Sequence, residues 1–374
     1  MIYFDNAATG GFKPRAVIDG AETTLKYLSA NPGRSGHRLS VTGAKAVYEC
    51  RCTIADFFNA SPDRVIFTKN CTEALNLAIF GSIKKGGHVI TTVFEHNSVL
   101  RPLYHLKNSG IIELDVASPD KDGDLVSAIK NKIKPNTYLI AVNSVSNVTG
   151  EELPIKELGK LAKSIGAYLL VDGAQGGGHI ELDLKDIGAS FLCLAGHKGL
   201  CGIMGSGVLI LDDNVDLNPL LYGGTGSETF NLDQPECYPE RLEAGTLNLP
   251  AIVALSEGVR FVKNNLTSFS KHLLSVTNYV INALKQLKGV KCFSSPNHAG
   301  IIAFSLNNMA SEQVADVLNL EYDVAVRGGY HCAPLIHKFL GTEDDGLVRV
   351  SIAVQNSSRE IDYFLRAIKE ILER

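Results

Sequence analysis

Lys198 and Asp172, each at the carboxyl end of an apolar run, are the residues of this chain best placed for chemistry. Lys198 lies in GHKG (196–199) directly after FLCLA, and Asp172 closes YLLVD before GAQ. A lysine in such a place is partly desolvated, which lowers its pKa and supplies neutral amine for Schiff-base chemistry with a carbonyl compound. Pyridoxal 5'-phosphate makes that demand. Its pyridine nitrogen also needs a carboxylate partner to stay protonated and act as an electron sink, and Asp172 is the candidate. Its phosphate needs backbone amides at a helix start with hydroxyl or imidazole donors beside them. Cys71 and Thr72, opening TEALN, together with His197, can supply these.

Competing chemistries lack their residues. No GxGxxG occurs, and the glycines of GLCGIMGSG from Gly199 are spaced the wrong way for a dinucleotide turn. In GSIKKGG from Gly81, Gly87 stands where a phosphate-binding loop needs its lysine. There is no GxSxG elbow. Cys50 and Cys52 are two apart with no second pair, so no metal site is expected.

The elements that must position these groups read as βαβ alternation. VIFT near 65, HVITT near 88, YLIAV at 138, YLLV ending at Val171, FLCLA at 191 and GVLIL at 207 are short apolar runs, with helical patterns between several of them. Nearly continuous apolar strands belong to a mostly parallel sheet covered on both faces. Ligands of such sheets gather beyond the strand carboxyl ends, and here those positions carry KNCTE, VFEHNS, NSVSNVTG, DGAQGGG and GHKG. From about residue 250 longer helical patterns (IVALSEGVRFVKNNL, HLLSVTNYVINALKQL) precede GIIAFSL and LVRVSIA. We therefore expect a large α/β domain over 15–249 and a smaller α+β domain from 1–14 and 250–374.

Composition limits the partners. At 374 residues with 45% apolar and 20% charged side chains, the chain can fill two hydrophobic cores and is not disordered. Its 36 basic against 40 acidic residues make no broad positive field, so neither nucleic acid nor a membrane surface is an expected partner. The opening MIYFDNAATG has no basic, apolar leader, and a cytoplasmic location is expected. Eight scattered cysteines without regular spacing argue for thiols rather than a disulfide framework.

DNAAT (5–9), TEALN (72–76), EHNS (95–98), SNVTG (146–150), VDGAQ (171–175), GHKG (196–199), EAGTLN (243–248) and RGGYHCAP (327–334) occur in that order. Together they make the chain resemble the class V, fold-type I pyridoxal-phosphate enzymes over essentially its full length, and among them the compact-loop branch of the cysteine desulfurases and selenocysteine lyases. The resemblance implies a large domain with a mostly parallel seven-stranded sheet. It implies Lys198 as Schiff-base lysine and Cα proton carrier, Asp172 as pyridinium partner and His96 as the imidazole stacked on the ring. Gln175 and Asn147 would contact the phenolic oxygen and the substrate side, Thr72 and His197 the phosphate, and Arg349, with Arg327 near it, the substrate carboxylate. It also implies a homodimer, with Thr246 and the GGTG turn at 223–226 reaching the neighbouring subunit's site.

Cys332, in RGGYHCAP, separates the activities open to such a site. Removing sulfur from an amino-acid substrate needs a thiolate that attacks the substrate sulfur and leaves as a persulfide, whereas transamination needs none. The expectation is conversion of L-cysteine to L-alanine with a persulfide on Cys332, which a sulfur-acceptor protein could then collect. Selenocysteine lyase activity, and a class V aminotransferase or β-lyase without persulfide chemistry, stay open. So does a non-catalytic scaffold, which the intact Asp172, Lys198 and Arg349 set argues against. His331 is read as a helper for the thiol, the glycines at 176–178 as turn geometry, and the cysteines at 50, 52, 193, 201, 237 and 292 as small buried hydrophobes. Ala195 departs from the serine, and Cys71 from the threonine or small residue, that many relatives carry.

Overall fold

A computed structural model describes residues 1–119 and 124–374. β1 (Ile2–Tyr3) leads into α1 (Arg15–Tyr27) and α2 (Arg38–Phe58). Then β2 (Val65–Thr68), α3 (Cys71–Gly81), β3 (His88–Thr92), α4 (Asn97–Asn108) and β4 (Glu113–Ala117) alternate. The alternation continues with α5 (Leu125–Lys130), β5 (Thr137–Asn143), α6 (Ile155–Ser164) and β6 (Tyr168–Asp172). α7 (Leu184–Ile187), β7 (Phe191–Ala195) and β8 (Gly207–Leu211) close this half. The rest comprises α8 (Leu249–Gln286), β9 (Val290–Cys292), β10 (Ile301–Leu306), α9 (Ser311–Tyr322), β11 (Val324–Ala325), α10 (Pro334–Leu340), β12 (Val348–Ser351) and α11 (Ser358–Leu372).

The first half forms a seven-stranded sheet in the order β2-β8-β7-β6-β5-β3-β4. β8 runs antiparallel to both its neighbours, and the other pairings are parallel. Because side chains alternate across a strand, the continuous apolar runs feed two cores at once. Ile140, Val142, Leu169 and Val171 join one cluster with residues of α2, α6 and α8. Leu139, Ala141, Leu170 and Phe191 join the opposite one with α3 and α4. A third cluster packs α9, α11 and the carboxyl half of α8 on the antiparallel sheet β12-β10-β9, with Phe4 from the chain start. β1 reaches that region by pairing parallel with β11.

Two local features differ from the sequence reading. β4 goes unread there, because ELDVA mixes charges into an edge strand that is buried on few positions. The two helical patterns after residue 250 are one 38-residue helix, α8. Its start packs in the first cluster through Leu249, Ile252, Leu255 and Val259, and its end in the third through Leu273, Val280, Ile281 and Leu284. Among the described residues no helix is long and apolar enough to cross a membrane.

α8 also positions the Lys198 turn. Gly258 lies so close that a Cβ there would overlap the carbonyl oxygen of Leu200. On the other side, Gly178, at φ +89°, packs on the backbone of Gly199 with no room for a side chain. Gly177 and Gly178 thus do more than turn the chain: they let the loops after β6 and β7 touch.

Candidate active site

The carboxyl ends of β3, β5, β6 and β7 and the amino end of α3 surround a half-open cleft with about 530 Å³ of empty space. Lys198, Asp172, His96, Asn147, Gln175, His197, Cys71 and Thr72 all contribute to its wall, as do Asn143 and Ser98.

Asp172 is buried, and its Oδ1 accepts from the Ala174 N–H at 2.9 Å and the Cys71 thiol at 3.5 Å. Burial pushes its pKa up, against the Ala174 hydrogen bond and the nearby Lys198 charge. Burial likewise pulls the Lys198 ammonium down, with Asp172 acting the other way. Each shift weakens the charged form of its group, which suits an amine that must condense with a carbonyl and a carboxylate that a cation brought into the cleft would stabilise. Cys71 stays a protonated thiol, raised well above its ordinary value chiefly by burial.

The anion cradle follows from the start of α3. Asn70 caps the helix by accepting from the Glu73 N–H at 2.9 Å, while no intrahelical carbonyl can reach the amides of Cys71 and Thr72. Thr72 Oγ1 lies 2.8 Å from Ser98 Oγ. His197 Nδ1 lies 3.0 Å from Thr9 Oγ1, and burial together with the Lys198 charge lowers its pKa to about 4.

His96 is oriented by the helix it begins. Its Nδ1 accepts from the Ser98 N–H at 3.0 Å, and since a backbone amide can only donate, the neutral ring carries its proton on Nε2. Burial and the charge of Lys198 bring its pKa down to about 4, so it is neutral across the physiological range. Gln175 donates from Nε2 to Ala7 O at 2.9 Å, and Asn147 from Nδ2 to His331 O at 2.8 Å.

This donor set fits pyridoxal phosphate. Gln175 Oε1, Asn147 Oδ1 and Asn143 Oδ1 are buried beside the cleft without partners, a cost that a bound polar ligand would relieve. A carboxyl, an amine and a helix-start anion cradle stand around the same space.

Cys332 is exposed, and it follows His331 in a pair of left-handed residues, φ +58° and +50°. Such backbone is strained for side-chain-bearing residues and survives where neighbours pin it. The Asn97 N–H donates to Cys332 O at 2.7 Å, which fastens the loop one residue from His96. Arg327 Nη2 stands 3.9 Å from the Cys332 sulfur and places positive charge beside it.

Two sequence expectations need correction, those for His331 and for the burial of four cysteines, while Arg349 lies deeper than the cleft lining. His331 does not engage the thiol: its buried ring bonds Leu347 O through Nε2 at 3.0 Å and is held neutral by burial. Arg349 is not in the cleft wall. It is buried behind Asn147, with Nη1 on Asn147 O at 3.0 Å and Nη2 on Asp5 at 2.9 Å. Cys237 is exposed, and Cys52, Cys201 and Cys292 are only half-buried. Within one chain Thr246 lies apart from the cleft, accepting from Asn31 Nδ2 at 3.3 Å. Its segment is anchored by a buried Arg51–Glu243 pair at 2.8 Å, and Glu243 also accepts from the Phe67 N–H.

Glu95, Asn143 and Ser98 were not singled out in the sequence, although EHNS and the end of YLIAVN contain them. Their signal was position alone, at the ends of β3 and β5.

The aminotransferase class-V family model matches residues 2–364. A probable cysteine desulfurase of Pyrococcus abyssi is 35% identical, covering 100% of this chain and 94% of that protein. Another from Methanothermobacter thermautotrophicus is 33% identical, over 99% of this chain and 94% of its own length. The apo structure of a cysteine desulfurase from Thermococcus onnurineus superposes with a TM-score of 0.92 at 34% identity, covering 100% of this chain and 94% of that one. The residues of the cleft and the relatives agree: this chain belongs to the aminotransferase class-V family, fold-type I enzymes that depend on pyridoxal phosphate.

Proposed function

We propose that the protein is a pyridoxal-phosphate-dependent cysteine desulfurase that converts L-cysteine to L-alanine and carries the removed sulfur as a persulfide on Cys332. The observation that carries this reading is an exposed thiol on a loop fastened beside His96, which shares the cleft wall with Lys198 and Asp172. The family match and the names of the relatives support it.

The cofactor, when bound, withdraws electrons from the substrate Cα. Asp172 would hold the proton of the pyridine nitrogen, and the amides opening α3, with Thr72 and His197, would bind the phosphate. Lys198 Nζ, whose charged form burial disfavours, would take and return the proton at Cα. His96 would cover the ring face with its neutral imidazole. The Cys332 thiolate then attacks the substrate sulfur: an S–S bond forms, the Cβ–S bond breaks, and Cβ gains a proton. The sum, cysteine plus enzyme thiol giving alanine plus enzyme persulfide, balances without an oxidant or reductant.

Arg349 would bind the substrate carboxylate after giving up part of its contact with Asp5 or Asn147; a guanidinium can offer a carboxylate two parallel donors. Arg327 would steady negative charge at the sulfur. We further infer a homodimer in which Thr246 and the 223–226 turn complete the partner's cleft, a cytoplasmic location, and a sulfur-acceptor protein that meets the exposed Cys332. The division into 15–249 and 1–14 plus 250–374 is supported by the third hydrophobic cluster, drawn from 1–14 and 250–374, although α8 and Ala303, Ala333, Ile336 and Leu347 also pack in the first.

The test is product identity. With L-cysteine the holoenzyme should release alanine in step with sulfur; a keto acid as main product would favour an aminotransferase or β-lyase, and strong preference for selenocysteine would make it a lyase for that substrate.

A further inference from the structure

Glu95 ends the turn after β3, one residue before His96, and its side chain is fully buried. Oε1 accepts from the Thr92 hydroxyl at 2.6 Å and from the Asn143 N–H at 3.1 Å. Oε2 meets neither solvent nor a partner. Asn143 in turn donates from Nδ2 to Phe94 O at 2.6 Å, so a carboxyl and a carboxamide lace the turn to the end of β5. We propose that Glu95 is a positioning residue for this cleft, holding the His96 turn against the end of β5 through Thr92 and Asn143. The proposal rests on the cleft being a pyridoxal-phosphate site.

Charge is what makes this residue unusual. A carboxylate with one oxygen buried and unpaired bears a large desolvation cost, which a neutral acid largely avoids. Burial, aided by the charge of Asp172, pushes Glu95 up to about 8, against the hydrogen bonds from Thr92 and Asn143. Asp172, at the end of β6, is the charged group that acts on it; Cys71 and Lys198 stand beyond, around Asp172, and His96 beside it is neutral. Between its ordinary value of 4.5 and about 8, folded Glu95 keeps a proton that the unfolded chain releases. Stability therefore falls as pH rises through that window and levels off above it.

Glu95→Gln keeps an acceptor at Oε1 and removes the titration. In cofactor-loaded protein, the Tm of Glu95→Gln should gain on wild type by about 4 °C between about pH 5.5 and about pH 8.5. Turnover of the variant at neutral pH should stay near wild type. In a Thr92→Val background the midpoint of that gap should move to higher pH, because the hydroxyl favouring the carboxylate is gone. Glu95→Ala should lower kcat by about tenfold or more with little change in KM, and Gln at the same site should restore it. Should the alanine variant fail to fold, the comparison of Gln with wild type still decides. Parallel Tm curves in cofactor-loaded protein would overturn the assignment of Glu95 alone, whereas a preparation that takes up no cofactor would sink the cofactor reading.

Discussion

Lys198→Ala is expected to lower alanine release from L-cysteine by about 10⁴-fold or more, since it removes both the covalent anchor and the group that moves the Cα proton. Lys198 is the one amine in the wall of the cleft among the described residues, so no neighbour can substitute for it. The purified variant should no longer hold cofactor that borohydride fixes to protein. Its fold should survive, because shortening the side chain relieves rather than creates an unfavourable buried charge: burial already pulls this ammonium toward neutrality. A variant that keeps activity within about tenfold of wild type would mean that another group moves the proton, and the assignment would fall.

Cys332→Ala is expected to reduce cysteine turnover by about 10³-fold while leaving cofactor absorbance and Tm unchanged. The side chain is exposed and serves no core, so its loss should alter stability by less than about 0.5 kcal/mol. Alanine and cysteine tolerate the local φ of +58° about equally badly, which removes backbone strain as an explanation of any loss. Selenium departs more readily than sulfur, so the same variant can retain selenocysteine activity. Full cysteine activity in the variant would end the persulfide mechanism; loss confined to cysteine, with selenocysteine turned over faster by wild type, would name selenocysteine as the substrate served.

Much of this architecture could be read from residue order because buried parallel strands announce themselves. YLLV and FLCLA are apolar on both faces, and the polar residues at or shortly beyond their carboxyl ends, Asp172 and Lys198, meet in the strand-end crevice. An edge strand such as β4, with charges among its apolar residues, gives no such signal. Contacts between remote segments were legible only in part. Arg349 and Asp5 are 344 positions apart, and nothing local to LVRVSIA tells that its guanidinium is tied to the chain start. His331 and Cys332 are adjacent in sequence, yet two successive left-handed residues leave the ring buried on Leu347 and the sulfur exposed. Glu95 was hidden for a related reason: a glutamate is usually solvated, and only the folded end of β5 shows that this one is not.

The measurement that bears most directly on desulfuration is intact and peptide mass spectrometry of the holoenzyme after brief exposure to L-cysteine without a sulfur acceptor. One added sulfur atom, removable by a reductant and mapped to the peptide carrying Cys332, is the result expected, with none in Lys198→Ala. Sulfur released by wild type with no adduct on that peptide, or an adduct that persists in Lys198→Ala, would contradict it.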